Sequence, residues 1–287
     1  MTAPSAEQLA EWLDAAAAVL DGVSAQFIHG HRADSAVVKR GNDFATEVDL
    51  AIERQVVAEL TRATGIGVHG EEFGGAAVDA ELVWVLDPID GTANYAAGSP
   101  LAAILLALLH RGEPVLGLTW LPFTGERYRS DAMAPLVPGR LAESIVGIGT
   151  FNIAARGHFP GRYRAAILER LSYGCSRVRM HGATGVDLAY VAAGILGGAI
   201  SFGHHVWDHA AGTALVRAAG VLAAESRVRT LASTTARASR SPESGCSSAP
   251  TPPTQRAISK ARRWKRLSGR RSSAKAWMPA TSRPRAV

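Results

Sequence analysis

The chain has 287 residues, 47% of them hydrophobic, which suffices for one large domain or two medium ones with a sizeable core. Its net charge of +6 is uneven, because residues 1–220 carry 16 Lys and Arg against 23 Asp and Glu, whereas residues 221–287 carry 15 against 2. Cys175 and Cys246 form no disulfide framework, and the longest apolar run, 101–109, is too short to span a bilayer. We therefore expect a mildly acidic cytoplasmic protein without a membrane partner.

The first half of the chain is predicted to mix helices with a hairpin. Apolar residues at helical spacing predict helices over 6–20 and 46–64, the second with Thr46 as N-cap and Asp49 in its first turn. Apolar runs bounded by turn residues predict strands at 66–69, 82–86, 102–109 and 114–120, the last two forming a hairpin.

The second half alternates between strands and helices. Strands are predicted at 145–148, 177–180 and 199–202, and helices at 162–171, 185–193 and 209–219. An α+β half followed by an alternating half predicts stacked layers of helix and sheet. The predicted boundaries are an N-terminal metal-binding half, 1–140, and a C-terminal half that completes the active site, 141–220.

After Gly220 the composition changes to Arg, Ser, Ala, Thr and Pro, with a basic cluster at 260–265. Three interpretations stay open for residues 221–287. They could be a frameshift product that replaces the native ending, a genuine disordered basic tail, or a small folded module.

A pair of carboxylates follows the apolar strand at 82–86. Asp87 and Asp90 are three residues apart and lead directly into Gly91-Thr92. Two like charges beside a buried strand are costly unless a divalent cation binds them, and free backbone N–H groups next to them suit a phosphate. A structural alternative is an acidic turn that caps a helix.

Further acidic residues, Asp49, Glu71-Glu72 and Asp208, also lie at predicted element ends. Hard cations such as Mg²⁺ bind carboxylate oxygens, and paired ions can clamp the attacking and leaving oxygens of a phosphoryl group. Spacing alone does not show that these segments meet in space.

Four segments, in this order, resemble the motifs of the inositol monophosphatase family. They are Asp43-Phe-Ala-Thr-Glu-Val-Asp49, Gly70-Glu-Glu72, Asp87-Pro-Ile-Asp-Gly-Thr-Ala-Asn-Tyr95 and Trp207-Asp-His-Ala-Ala-Gly212. The resemblance covers residues from about 30 to 220. It implies an α/β fold with an α+β half, namely the layered α-β-α-β-α sandwich of inositol monophosphatases and fructose-1,6-bisphosphatases. It also implies a phosphoric monoester hydrolase that works as a homodimer.

The resemblance implies two to three Mg²⁺ ions and five metal-binding residues. Glu71, Asp87 and the carbonyl of Ile89 would hold one ion, and Asp87, Asp90 and Asp208 would hold a second. A third, weaker ion would lie near Glu71. Because Li⁺ competes for a metal position in the family, lithium inhibition is expected.

The same resemblance implies the catalytic roles. Thr92, coupled to Asp49, would help Glu71 orient the attacking water, and the N–H groups of Gly91 and Thr92 would bind the phosphate. Lys39 would balance charge near the third ion. Mg²⁺ lowers the pKa of bound water and offsets charge on the leaving alkoxide, so no covalent intermediate is needed.

The implied substrate is a small phosphorylated polyol, with inositol monophosphate first. Histidinol phosphate, fructose 1,6-bisphosphate and 3′-phosphoadenosine nucleotides are the alternatives. Ser201 stands where the family often has a Glu that contacts inositol hydroxyls, which weakens the case for inositol but not for phosphatase chemistry. A loose match at 182–187 adds Ala183 and Asp187 to the predicted substrate contacts. The full predicted set is Gly91, Thr92, Ala183, Asp187 and Asp208.

Other interpretations fit the sequence less well. The GxGxxG string at 65–70 follows a helix and leads into two glutamates, which would repel a pyrophosphate. Haloacid-dehalogenase phosphatases space their aspartates two apart rather than three. A zinc site at His204, His205 and His209 lacks an obvious soft ligand. The contrasting hypothesis is an inactive truncated homologue whose basic tail binds nucleic acid non-specifically.

Overall fold

Two large β-sheets with helices packed on them, and a small two-stranded sheet, organise the protein. The computed structural model describes residues 4–32, 35–38, 44–137, 139–151, 161–224 and 231–233. The helices are α1 Ala6–His29, α2 Glu47–Thr64, α3 Thr92–Ala97, α4 Gly161–Gly174, α5 Thr184–Ala192 and α6 Val206–Ala218. The strands are β1 Ser35–Val38, β2 Phe44–Thr46, β3 Val68–Gly70, β4 Gly74–Gly75, β5 Leu82–Asp90, β6 Ala103–His110, β7 Glu113–Leu121, β8 Glu126–Arg129, β9 Ile145–Ile148, β10 Arg177–Arg179, β11 Gly198–Ile200, β12 Leu222–Ala224 and β13 Leu231–Ser233.

The two N-terminal helices begin at reciprocal side-chain caps. Ser5 and Gln8 form a capping box at the start of α1, and Thr46 and Asp49 form one at the start of α2. Helix α2 ends at Gly65, whose φ of 70° is the left-handed conformation typical of a helix C-terminus. The predicted N-cap at Thr46 and the position of Asp49 in the first turn are confirmed.

The first sheet has six strands in the order β4-β3-β5-β6-β7-β8. Strand β5 pairs in parallel with β3 and antiparallel with β6, which forms the predicted hairpin with β7. The hairpin turns at Arg111 and Gly112, whose φ values of 53° and 80° are both positive, as the tight turns that suit twisted hairpins require.

Both faces of this sheet are covered by helices. In β5, Trp84 and Leu86 join the core formed with α1 and α2, whereas Val83 and Val85 join the core beneath α5 and α6. Because both faces are buried, the strand is a continuous apolar run rather than an alternating pattern.

The second sheet has five strands in the order β10-β9-β11-β13-β12. Strands β10, β9 and β11 are parallel, and β13 and β12 add antiparallel partners. Helices α5 and α6 contact strands of both sheets and therefore form the layer between them. Helix α4 packs on β10. The predicted layering of helices and sheets is confirmed.

The structure differs from several predicted boundaries, and helix α1 continues to His29, beyond its predicted end at residue 20. Strand β5 continues through both aspartates to Asp90, and α6 begins at Val206, so Asp208 lies inside its first turn. Regular structure continues after Gly220 in two short strands, β12 and β13, which pair antiparallel. Val221, which directly precedes β12, and Ala223 within it pack into the core formed with α5 and α6, whereas Leu222 is exposed; composition does not reveal this tertiary contact.

All described residues belong to one compact unit, Met1–Ala238. A second unit, Ser239–Val287, lies wholly outside the described residues, as do Lys39 and the basic cluster at 260–265. The predicted division into 1–140, 141–220 and 221–287 stays a prediction. Within the described ranges, no helix is long and apolar enough to cross a membrane.

Candidate active site

Asp87 is the central carboxylate of the site. It lies on β5, is 2% exposed, and its Oδ1 accepts a 3.0 Å hydrogen bond from the backbone N–H of Ile89. Burial raises the pKa of Asp87 well above its usual range, and the negative charges of Glu71, Asp90 and Asp208 raise it further. The acidic segments singled out in the sequence are thus brought together around this one buried carboxylate.

The donor set fits a hard divalent cation. Carboxylate oxygens are the ligands that Mg²⁺ prefers, and a cation would relieve the repulsion that raises the pKa of Asp87. Among the described residues, no three acidic, histidine or cysteine side chains are grouped so that they could hold a metal ion as they stand. What relates these carboxylates is the effect of their charges on Asp87.

An irregularity in β5 explains how two aspartates three residues apart serve one site. Side chains alternate along a strand, so Asp87 and Asp90 would ordinarily face opposite sides of the sheet. The register with β6 shifts between them, however, so that they oppose Leu105 and Ala103. These two residues share a face, because both belong to the core beneath α5 and α6. The extra residue in β5 thus turns Asp90 to the side of Asp87.

Asp90 caps helix α5 from a distant part of the chain. Its carboxylate accepts backbone hydrogen bonds from Thr184 at 3.0 Å, Gly185 at 2.7 Å and Val186 at 3.3 Å. Burial raises the pKa of Asp90 to about 7, although these hydrogen bonds lower it. Asp90 therefore does cap a helix, which is the structural alternative considered for the segment of Asp87 and Asp90. A carboxylate has about four lone-pair sites, so capping leaves acceptor capacity for a metal ion.

Asp49 lies in the first turn of α2, and its charge also raises the pKa of Asp87. Its Oδ2 accepts hydrogen bonds from the Thr46 backbone N–H at 2.7 Å and hydroxyl at 2.5 Å. Burial raises the pKa of Asp49 to about 6, against the effect of these bonds and with a contribution from Glu71. The hydroxyl of Thr92 donates to the carbonyl of Ile89 at 3.0 Å, so the coupling of Thr92 to Asp49 stays a prediction.

Gly91 and Ala183, two predicted substrate contacts, lie against each other. Gly91 has a φ of 82°, and a Cβ on it would lie 3.0 Å from both the Ala183 Cβ and the Leu101 carbonyl oxygen. Asn94 holds this junction together, because its amide donates to the carbonyls of Leu101 at 2.8 Å and His181 at 2.7 Å. The sequence analysis did not identify this role of Asn94, which appears there only within the motif from Asp87 to Tyr95.

Asp187, another predicted substrate contact, is buried and lies in hydrogen-bond contact with His181. Its Oδ1 lies 2.6 Å from Nδ1 of His181. Burial raises the pKa of Asp187, and the hydrogen bond from His181 lowers it. The backbone of Gly147 covers the same oxygen, so closely that a Cβ there would lie 2.8 Å from it. Direct contact between Asp187 and a substrate therefore stays a prediction.

The segment before α6 connects Asp208 to α5. The backbone of Gly203 lies over the Asp208 carboxylate, since a Cβ on Gly203 would be 2.5 Å from its Oδ2. Ser201 Oγ accepts a hydrogen bond from the Gly203 N–H at 3.2 Å and lies 3.3 Å from Thr184 Oγ1. The segment that begins with Ser201, the residue at the position where the family often has a Glu, thus packs against both the predicted ligand Asp208 and the start of α5.

Two of the histidines considered for zinc, His204 and His205, take part in aromatic stacking. His204 lies 3.8 Å from His205 between ring centroids, and His205 stacks on Trp207 at 4.5 Å and 9°. Trp207 also stacks with His69 of β3, with 5.8 Å between the ring centroids. This column joins the segment before Glu71 to the start of α6.

Glu53 is a second residue that the sequence analysis missed. It is fully buried on α2 and accepts hydrogen bonds from the backbone N–H groups of Glu72 and Phe73, both at 2.8 Å. Its spacing of four from Asp49 places both carboxylates on one face of α2, which is the signal that could have found it.

The comparison with protein families decides the assignment. The model of the inositol monophosphatase family matches residues 5–260. The chain belongs to this family. The match extends beyond the predicted range of about 30 to 220 at both ends, and past Gly220 in particular.

Curated relatives and solved structures agree. The chain is 70% identical over 224 residues to inositol-1-monophosphatase ImpA of Mycolicibacterium smegmatis, covering 75% of this chain and 81% of that protein. It is 67% identical over 222 residues to the "probable inositol 1-monophosphatase ImpA" of Mycobacterium tuberculosis, covering 74% and 82%. The structure of an inositol monophosphatase from Anabaena (Nostoc) superposes with a TM-score of 0.68 at 27% identity, covering 79% of this chain and 92% of that one. The predicted fold and the assignment as a phosphoric monoester hydrolase are confirmed.

Proposed function

We propose that the chain hydrolyses inositol monophosphate to inositol and inorganic phosphate with Mg²⁺ as cofactor. The observation that carries the proposal is the buried Asp87, on whose pKa the charges of Glu71, Asp90 and Asp208 all act. Such a group is costly in an apolar setting and is stabilised by divalent cations. The family supports the magnesium requirement, and the names of the ImpA relatives support the substrate.

The residues that would hold two to three Mg²⁺ ions are Glu71, Asp87, the carbonyl of Ile89, Asp90 and Asp208. When bound, Mg²⁺ supplies an activated water and neutralises charge on the leaving oxygen. Glu71 and Thr92 orient the attacking water, with Asp49 behind them. Gly91 is the left-handed N-cap of α3, and the N–H groups of Gly91 and Thr92 would bind phosphate oxygens.

The substrate wall carries hydroxyl groups instead of a carboxylate. Ser201 and Thr184 lie together beside Asp90, and both can donate and accept hydrogen bonds. A polyol with many hydroxyls suits this wall. The alternatives with the same chemistry are histidinol phosphate, fructose 1,6-bisphosphate and 3′-phosphoadenosine nucleotides.

The test is phosphate release from a panel of these four substrates, with Mg²⁺, with EDTA, and with Mg²⁺ plus Li⁺. We expect turnover of inositol monophosphate that requires Mg²⁺ and is inhibited by Li⁺. Preference for another member of the panel would replace the substrate but keep the chemistry. No turnover of any of them by protein shown to bind metal would refute the proposed activity.

Homodimerisation and a cytoplasmic location remain part of the proposal. The small number of cysteines supports a reducing compartment. Light scattering of the full chain would give its oligomeric state, and a monomer at micromolar concentration would contradict the dimer. Non-specific nucleic-acid binding through residues 221–287 would appear as an affinity that falls steeply with salt.

A further inference from the structure

We propose that Glu53 is a positioning residue that fixes the backbone around Glu71 and thereby sets the affinity of the site for metal ions. The inference rests on the proposed role of Glu71 as a metal ligand. Glu53 does not reach the reacting atoms in this scheme. It acts on the residues that immediately follow Glu71.

Glu53 binds two backbone N–H groups of the segment that follows Glu71. One carboxylate oxygen, Oε2, accepts the N–H of Glu72 at 2.8 Å, and the other, Oε1, accepts the N–H of Phe73 at 2.8 Å. Hydrogen bonds to a charged acceptor are about twice as strong as neutral ones. Both oxygens of one buried carboxylate therefore determine the path of the chain after Glu71.

Gly70 shows how closely the carboxylate is packed on the segment before Glu71. A Cβ added to Gly70 would overlap the Oε1 and Cδ atoms of Glu53. Only glycine lets the end of β3 lie directly against the carboxylate. The segment from Gly70 to Phe73 is thus wrapped around Glu53, with Glu71 in its middle.

The opposite side of the segment is attached to β5. The backbone N–H of Glu71 donates to the carbonyl of Leu86 at 3.1 Å, and Leu86 directly precedes Asp87. Glu71 is therefore held between β5, which carries Asp87, and Glu53 on α2. Removing one of these two supports is expected to let the Glu71 side chain move relative to Asp87.

The experiment measures Mn²⁺ binding to the full chain by calorimetry and by electron paramagnetic resonance, independently of turnover. The variants are Glu53→Gln, which keeps the volume but places an NH₂ group against a backbone N–H, and Gly70→Ala, which displaces the carboxylate from the other side. Val56→Ala is the matched control, because Val56 is equally buried on α2 and touches the hydrophobic core instead. Thermal unfolding in EDTA records the stability of each variant.

We expect Glu53→Gln and Gly70→Ala to weaken Mn²⁺ binding by about 10- to 100-fold, the range seen when groups that orient metal ligands are removed. Val56→Ala is expected to lower the unfolding temperature without changing the affinity. In a Glu71→Gln background, Glu53→Gln is expected to add no further loss, since it acts through Glu71. Should Glu53→Gln not fold, Gly70→Ala carries the same comparison.

Two results would overturn the inference while leaving the proposed function intact. In the first, Glu71→Gln weakens Mn²⁺ binding, but Glu53→Gln and Gly70→Ala leave the Mn²⁺ affinity unchanged. The other is a loss from Glu53→Gln that is equally large in the Glu71→Gln background. A wild-type chain that binds no Mn²⁺, or a Glu71→Gln variant that binds it normally, would overturn both.

Discussion

The backbone N–H of Gly185 donates a 2.7 Å hydrogen bond to the carboxylate of Asp90. This bond joins a strand of the first sheet to the helix that packs beneath the second sheet. Because Ala183, at the N-cap of α5, makes no side-chain cap of its own, Asp90 supplies the missing acceptor. One carboxylate thus serves both as a helix cap and as a proposed metal ligand.

Gly185→Ala tests this junction. A Cβ at Gly185 would overlap the Leu105 side chain and would lie 2.9 Å from Asp90 Oδ2. We expect a loss of about 1–3 kcal/mol in the free energy of unfolding, as overpacking usually costs, together with lower phosphatase activity. Urea unfolding measures the first effect. Gly174→Ala is the control, because a Cβ at Gly174 would meet nothing within 4 Å, and equal stability losses in both variants would contradict the packing argument.

Asp87→Asn is expected to separate stability from function. Burial and four neighbouring carboxylates raise the pKa of Asp87, so its charge is unfavourable in the metal-free protein. The neutral amide should therefore raise the unfolding temperature in EDTA at about pH 8, while phosphatase activity falls by at least about 100-fold. The exposed Asp79, changed to Asn, is the control. A metal-free Asp87→Asn variant less stable than wild type would count against the electrostatic account.

The metal-free protein is expected to lose stability as pH rises. The pKa values of Asp49 and Asp90 are raised in the folded state to about 6 and about 7 from an ordinary value of 3.8. Between these values the folded state binds more protons than the unfolded state, so the free energy of unfolding decreases with pH, by up to about 1.4 kcal/mol per pH unit for each group. Unfolding in EDTA from about pH 4 to pH 8 measures this.

Saturating Mg²⁺ should reverse the loss of stability at the higher pH values, since the cation stabilises the ionised carboxylates. The same pH series with Mg²⁺ is the comparison. Parallel curves with and without the ion would show that the raised pKa values are unrelated to metal binding.

Asn94→Ala should loosen the segment that carries Ala183. The change removes two hydrogen bonds and leaves the carbonyls of Leu101 and His181 without that partner, which costs about 1–3 kcal/mol for buried groups. We expect a roughly tenfold loss in kcat/KM with Mn²⁺ affinity preserved, because no proposed ligand is touched. Asn94→Asp, which keeps the shape but lacks the amide donor, should resemble the alanine variant. A wild-type kcat/KM in both would exclude a role for Asn94 in positioning.

The sequence predicted the elements of this fold well where local patterns are decisive. The spacing of apolar residues predicted α2 with its cap at Thr46, and the apolar runs predicted the β6–β7 hairpin. It failed at β5, where the strand continues through two charged residues, and at β12 and β13, where the composition is atypical of a strand. In both places, pairing with neighbouring strands outweighs local preference.

The residue types of the candidate site could be predicted from the sequence, but the contacts between its residues could not. The carboxylates of Glu71, Asp87, Asp90 and Asp208 were identified by type and motif. The capping of α5 by Asp90, the hydrogen bonds of Glu53 to residues about 20 positions away, and the clamp made by Asn94 all depend on contacts between distant segments. Sequence spacing contains no information about such contacts, so only the folded chain reveals them.

The most direct test of the central claim is calorimetric titration of Mn²⁺ into the wild-type chain and the Asp87→Asn variant at about pH 8. The account predicts that the wild type binds at least two ions and that Asp87→Asn loses at least tenfold in affinity, because Asp87 would bridge them. Unchanged stoichiometry and affinity in Asp87→Asn would contradict the claim that the site is built around Asp87.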